Sequence, residues 1–90
     1  MLKTVSITIS GKVQGVFYRQ STKEKAIKLD ITGEVKNLPD ETVLIIATGT
    51  AKQIEEFIQW CWQGPARAKV TIVNVEEMNL KLFDKFNIVR

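Results

Sequence analysis

Val5, Ile7 and Ile9 alternate with Thr4, Ser6 and Thr8, the period of a strand that buries one face. From Ser10 to Val16 the alternation stops, and Gly11 and Gly15 mark a loop. Beyond it Tyr18, Thr22, Ala26 and Leu29 recur at helical spacing, with Lys23, Glu24, Lys25 and Lys28 left for the wet side. This predicts a short amphipathic helix that starts near Phe17. Ile31 to Asn37, which contains Gly33, reads as a second strand, and Leu38-Pro39-Asp40-Glu41 as a turn by its Pro-Asp pair. The β-branched run from Thr42 to Thr48, closed by Gly49, then completes a hairpin.

Thr50 and Gln53 stand at the spacing of a capping box, and Ile54, Phe57, Ile58 and Cys61 follow on one helical face. That helix ends before Gly64-Pro65, since glycine favours a C-terminal stop and proline cannot continue a helix. Ala68 to Glu76 is a fourth strand whose apolar set changes phase between Val70, Ile72 and Val73, Val75, which predicts a bulge or burial on both faces. A short strand, Phe86 to Val89, closes the series. The order β-α-β-β-α-β plus a terminal strand predicts an α+β fold of the ferredoxin-like, split β-α-β kind, an antiparallel sheet with two helices on one face. At 90 residues, with no linker or repeat, residues 1–90 are expected to form one domain with a shallow active surface.

Composition narrows the chemistry. The 13 basic and 10 acidic residues give a formal charge of +3, which suits anionic ligands but lacks the Lys/Arg-dense stretch of a nucleic-acid binder. The absence of histidine removes Ser-His-Asp and Cys-His arrangements, imidazole acid-base chemistry and His-ligated metals. The single Cys61 can form neither an intramolecular disulfide nor a thiolate zinc site, and nothing beside it lowers its pKa, so it is expected to be a buried, inert residue. Met1 to Ile7 has no signal-peptide run, and no stretch approaches the ~20 apolar residues of a membrane span. The expectation is a cytoplasmic protein without a membrane or nucleic-acid partner.

The chemistry concentrates at Gly11 to Arg19. A glycine-containing loop that runs from a strand into a helix can present successive N–H groups, the helix start leaves further N–H groups unpaired, and Arg19 in the first turn adds a permanent, bidentate cation. Together these predict an oxyanion or phosphate cradle, although a plain turn with a solvated arginine has the same composition. The run Gly11-Lys12-Val13-Gln14-Gly15-Val16-Phe17-Tyr18-Arg19 resembles the first signature of the acylphosphatase family, Gly-x-Val-Gln-Gly-Val-x-aromatic-Arg, at every specified position. The second signature corresponds to Gly33-Glu34-Val35-Lys36-Asn37, then Val43 and Gly49. Glu34 there replaces an apolar residue and Glu41 a turn glycine. Glu34 is expected on the solvated strand face opposite Asn37, and Glu41 puts the turn geometry in question. The resemblance continues through Gly64-Pro65, Ala68 and Val70 to Phe86 and Ile88.

The resemblance implies a metal-free, cofactor-free hydrolase that cleaves the carboxyl–phosphate anhydride of a small acyl phosphate, releasing carboxylate and inorganic phosphate. It assigns phosphate binding to Gln14, Gly15, Val16, Phe17, Tyr18 and Arg19 through the loop amides and the Arg19 guanidinium, and catalysis to Arg19 and Asn37. The neutral amide of Asn37 is no base, so its implied role is to orient the attacking water. A loose phosphoryl-transfer transition state needs mainly positioning and charge stabilisation, and this suits a chain without histidine. Trp60 and Trp62 flank Cys61 at the edges of the apolar helix face and are expected to pack there. Glu55-Glu56 and Glu76-Glu77 point apart and make no carboxylate pair. A ferredoxin-like RNA-binding module is disfavoured because the central strands Val5 to Ile9 and Val43 to Ala47 carry no aromatic residue. A non-catalytic anion-binding or regulatory module is the alternative. No large apolar stripe is left over, so a monomer is expected.

Overall fold

The computed structural model describes residues 1–90. Strand β1 (Leu2–Lys12) is followed by helix α1 (Tyr18–Lys28), the hairpin strands β2 (Thr32–Asn37) and β3 (Val43–Thr50), helix α2 (Ala51–Gln63), strand β4 (Lys69–Met78) and a short strand β5 (Phe86–Ile88). The sheet runs β4-β1-β3-β2-β5. The two strands without aromatics, β1 and β3, are therefore neighbours inside it, as their apolar faces require. Val5, Ile7 and Ile9 pair with Ala47, Ile45 and Val43, and all six are buried.

Both helices lie on that face. α1 buries Tyr18, Thr22 and Ala26, and α2 buries Ile54, Phe57 and Cys61. All of these but the polar Thr22 join Val35, Ile31 and Phe86 in one core cluster, with Leu29, Ile58 and Trp60 packed at its margin. Thr50 accepts from the Gln53 amide at 3.2 Å while the Gln53 side chain accepts from the Thr50 amide at 2.8 Å, so the capping box forms as its spacing predicts.

Two features differ from the sequence expectation, and a third, the bulge in β4, agrees with it. β1 runs on through Ser10, Gly11 and Lys12, because β4 supplies partners there: Gly11 pairs with Val70 and Lys12 with Lys69. Gly11 serves that pairing; its φ is 122°, and a Cβ on it would lie 2.1 Å from the Lys69 carbonyl oxygen. The phase change in β4 is a bulge at Thr71, the residue skipped where Ser10 pairs with Ile72 and Gly11 with Val70. It turns Val70 and Val73 both toward the core and leaves Ile72 exposed.

The second departure is a correction. The sheet is mixed, because β5 pairs in parallel with β2, matching Gly33 to Phe86 and Val35 to Ile88. After β4, at one edge of the sheet, the chain crosses to the opposite edge and arrives running alongside β2. The crossing is tied to the face away from the helices. The Lys81 amide donates to Thr4 Oγ1 at 2.9 Å, and Thr48 Oγ1 donates to the Lys81 carbonyl at 2.7 Å. Glu34 lies on that outer face as expected, but half-buried, in register with Ile46 and Asn87.

Candidate active site

Val13, Gly15, Phe17, Tyr18, Arg19 and Gln20 line one side of a cleft of about 310 Å³, and Asn37, Ile88 and Arg90 complete it. The loop reaches this shape through two left-handed residues, Gly15 at φ 72° and Phe17 at φ 64°. A Cβ on Gly15 would meet no protein atom within 4 Å, so the space above its backbone is open to the cleft. For a bulky residue such as Phe17 the conformation costs on the order of 1–3 kcal/mol, and it is held where the loop becomes the N-cap of α1.

The first turn of α1 follows. Its opening backbone hydrogen bond is Ser21 N–H to Phe17 C=O, 3.0 Å, and no side chain caps the helix. The amides of Tyr18, Arg19 and Gln20 thus have no intrahelical acceptor, and the positive end of the helix faces the same region. Arg19 is half-buried and Arg90 exposed, neither makes an ion pair, and no Asp or Glu lines the cleft. The electrostatics favour an anion with several oxygen acceptors.

Asn37 ends β2 in register with Val43, on the side of the strand that carries Gly33 and Val35, as period two requires. Its side-chain Oδ1 is buried with no hydrogen-bond partner. Burial of an unpaired acceptor costs about 1–3 kcal/mol, a cost accepted more readily at a working site than in a core. The hairpin next to it keeps its turn despite lacking the glycine. Glu41 adopts φ 72°, Leu38 N–H donates to the Thr42 carbonyl at 2.9 Å, and Asp40 accepts from the Thr42 hydroxyl at 2.6 Å and from its amide at 3.1 Å. Those two Thr42 bonds, the hydroxyl first, hold the Asp40 carboxyl below its usual range.

Of the six loop residues singled out by the sequence, Gly15, Phe17, Tyr18 and Arg19 reach the cleft together with Asn37, and Gln14 and Val16 do not line it. Val16 is buried, and the Gln14 side chain turns to the β2–β3 hairpin. A role for either in anion binding therefore rests on backbone alone. Tyr18 lines the cleft with a buried ring whose hydroxyl donates to the Cys61 carbonyl of α2 at 2.6 Å. Burial, chiefly, pushes its phenol well above the usual range, so it stays protonated and offers no general base. Burial likewise pushes the Cys61 thiol up to about 12, in accord with the inert residue expected. Trp60 packs against Tyr18 and Phe57 with ring centroids 5.6 and 6.3 Å apart, while Trp62 is half exposed.

Ile88 and Arg90 escaped the sequence reading. They come to the cleft because β5 runs parallel to β2, with Val89 N–H donating to the Val35 carbonyl at 2.8 Å, so the residues after β5 end up beside Asn37. A lone arginine after a three-residue strand carries no local mark of that pairing.

Comparison with known proteins agrees with this geometry. The family model described as Acylphosphatase matches residues 5–88. The chain is similar to an acylphosphatase of Methylococcus capsulatus, with 41% identity over 90 residues, covering 99% of this chain and 98% of that one. Its fold resembles the solved acylphosphatase of Coxiella burnetii, with a TM-score of 0.95 at 40% identity, covering 98% of this chain and 93% of the other. It also resembles that of Bacillus subtilis, with a TM-score of 0.95 at 34% identity and full coverage of both chains. With the family match running from Val5 to Ile88 and the backbone following these enzymes along its length, the chain belongs to the acylphosphatase family.

Proposed function

We propose that this chain hydrolyses the carboxyl–phosphate anhydride of small acyl phosphates in the cleft between the β1–α1 loop and Asn37. Family membership supports the reaction class, and the arrangement of the cleft supports the roles. Arg19 and the free amides from Gly15 to Arg19 bind the phosphoryl oxygens and stabilise the charge spread over them in the transition state. Asn37 orients a water in line with the bond to be broken. The water oxygen bonds to phosphorus as the bond from phosphorus to the acyl oxygen breaks. The carboxylate leaves, and the proton released by the water passes to the phosphate. A carboxylate needs no protonation to depart, so the absence of histidine is no obstacle. Inorganic phosphate is the second product, and no metal or organic cofactor takes part.

The observation that carries the reading is Asn37, a cleft-lining amide whose oxygen is buried and unpaired within the protein. The cleft draws on residues from Val13 to Arg90 of one chain, which supports a single unit acting as a monomer. No helix is long and apolar enough to cross a membrane, and a buried, unbridged Cys61 suits the cytoplasm.

The test is turnover of benzoyl phosphate near neutral pH with chelator present. Arg19→Ala and Asn37→Ala are each expected to lower kcat by roughly 10²–10³, about 2.7–4 kcal/mol of transition-state stabilisation. Arg19→Ala also weakens inhibition by inorganic phosphate, whereas Asn37→Ala leaves it nearly intact. Near-normal turnover by Asn37→Ala would remove the water-orienting role. A folded wild-type protein with no turnover would instead indicate an anion-binding module.

A further inference from the structure

The Gln14 side chain joins the two halves of the cleft. Its Nε2 donates to the carbonyl of Leu38 at 3.0 Å and to that of Thr42 at 2.8 Å. Leu38 directly follows Asn37, and Thr42 precedes Val43, the residue paired with Asn37. The turn between them does not need these bonds, since Leu38 N–H to Thr42 C=O, Glu41 N–H to Leu38 C=O and the Asp40–Thr42 contacts already close it. What Gln14 adds is an attachment to another part of the chain.

Val13 and Val16 pack into the core cluster that holds Val35 and Val43, but no other hydrogen bond duplicates that attachment. The ladder between β1 and β3 stops at Ile9 and Val43, and β1 past that point pairs only with β4. No other side-chain hydrogen bond, and no backbone bond outside the ladders, links the stretch from Val13 to Phe17 with the hairpin. Asn37 makes no side-chain hydrogen bond of its own, so its placement depends on the backbone that carries it.

We propose that Gln14 is a positioning residue for hydrolysis, its side-chain amide clamping the end of β2 so that Asn37 is held in register with the anion cradle. The inference rests on the role of Asn37 given above. Catalytic alignment tolerates little error, and a shift of about 1 Å can cost about 10²-fold in rate. The clamp also explains why a loop residue that does not line the cleft presents a side chain with both amide N–H groups spent.

The experiment removes the donors at nearly constant volume, with Gln14→Met in wild-type and Asn37→Ala backgrounds. In the wild-type background kcat for benzoyl phosphate is expected to fall about tenfold or more, while the inhibition constant for inorganic phosphate moves less than about threefold. In the Asn37→Ala background the same substitution changes kcat by less than about twofold, because the group it positions is gone. An unchanged kcat overturns the proposal. So does a parallel loss of phosphate binding, which would make Gln14 a cradle residue, or an equal loss in both backgrounds. If Asn37→Ala alone keeps normal turnover, it is the reading of Asn37 that fails first. Gln14→Leu, uncharged and also without donors, serves if Gln14→Met does not fold. Failure of both to fold assigns the side chain to the fold and overturns the positioning role.

Discussion

Phe17 and Glu41 are both non-glycine residues at positive φ, 64° and 72°, and they differ in what surrounds them. Phe17 sits between the cradle and the helix, where its conformation aims the following amides, so its strain belongs to the site. Glu41 is an exposed turn residue at the position where the family pattern has glycine. A left-handed conformation costs a side chain about 1–2 kcal/mol, and glycine returns about 0.5–1 kcal/mol of that as unfolded-state entropy. Glu41→Gly is therefore expected to raise unfolding stability by about 0.5–1 kcal/mol with turnover unchanged, as read from urea unfolding and a kinetic assay. At this scale much of the candidate site was legible. Arg19 followed from its place in a first helical turn, and Asn37 from its strand period and the family pattern. The clamp made by Gln14 was not, because its acceptors are backbone carbonyls 24 and 28 residues away, and backbone carbonyls leave no trace in a sequence.

Between the elements, α1 and α2 meet where Tyr18 donates to the Cys61 carbonyl and its ring lies against Trp60. Two acids that must stay neutral are thereby buried together. The Cys61 thiol moves from the usual 9.0 to about 12, and the Tyr18 phenol moves up from 10.0. A pKa raised on folding means that the folded protein keeps its proton where the unfolded chain has lost it. The stability is complete below pH 9 and declines as pH rises through the 9–12 window. Urea midpoints are expected to hold steady up to about pH 8.5 and to fall above it, less steeply in Cys61→Ala, which leaves Tyr18 alone of this buried pair to lose its proton. α2 was legible almost residue for residue, because its cap, apolar face and stop are all local. β1 was read too short, since its last residues are strand only by virtue of β4, some 60 positions later.

For the molecule as a whole, the crossing from β4 to β5 decides where the chain's late residues go. Its anchor is a pair of hydroxyls, Thr4 and Thr48, 2.7 Å apart and buried on the outer face of the sheet, both bonded to Lys81. Thr48→Val keeps the volume but leaves the Lys81 carbonyl without its best donor, so unfolding stability is expected to drop by about 1–3 kcal/mol in a denaturant titration. The sequence order predicted the layers and the central strands, because each follows from local periodicity and from which faces are apolar. It did not reveal the parallel β5. Three residues of strand carry no instruction about their partner, and the choice is made by Phe86 finding the core beside Phe57, ring centroids 6.2 Å apart. One wall of the cleft thus comes from residues 13–20 and the other from Asn37 together with Ile88 and Arg90. On the ribosome, Arg19 and Asn37 emerge early while Ile88 and Arg90 are still to be made. A nascent chain displays its most chemically telling residues long before it has a cleft to use them in, and the cleft becomes whole only when its last strand has cleared the exit tunnel.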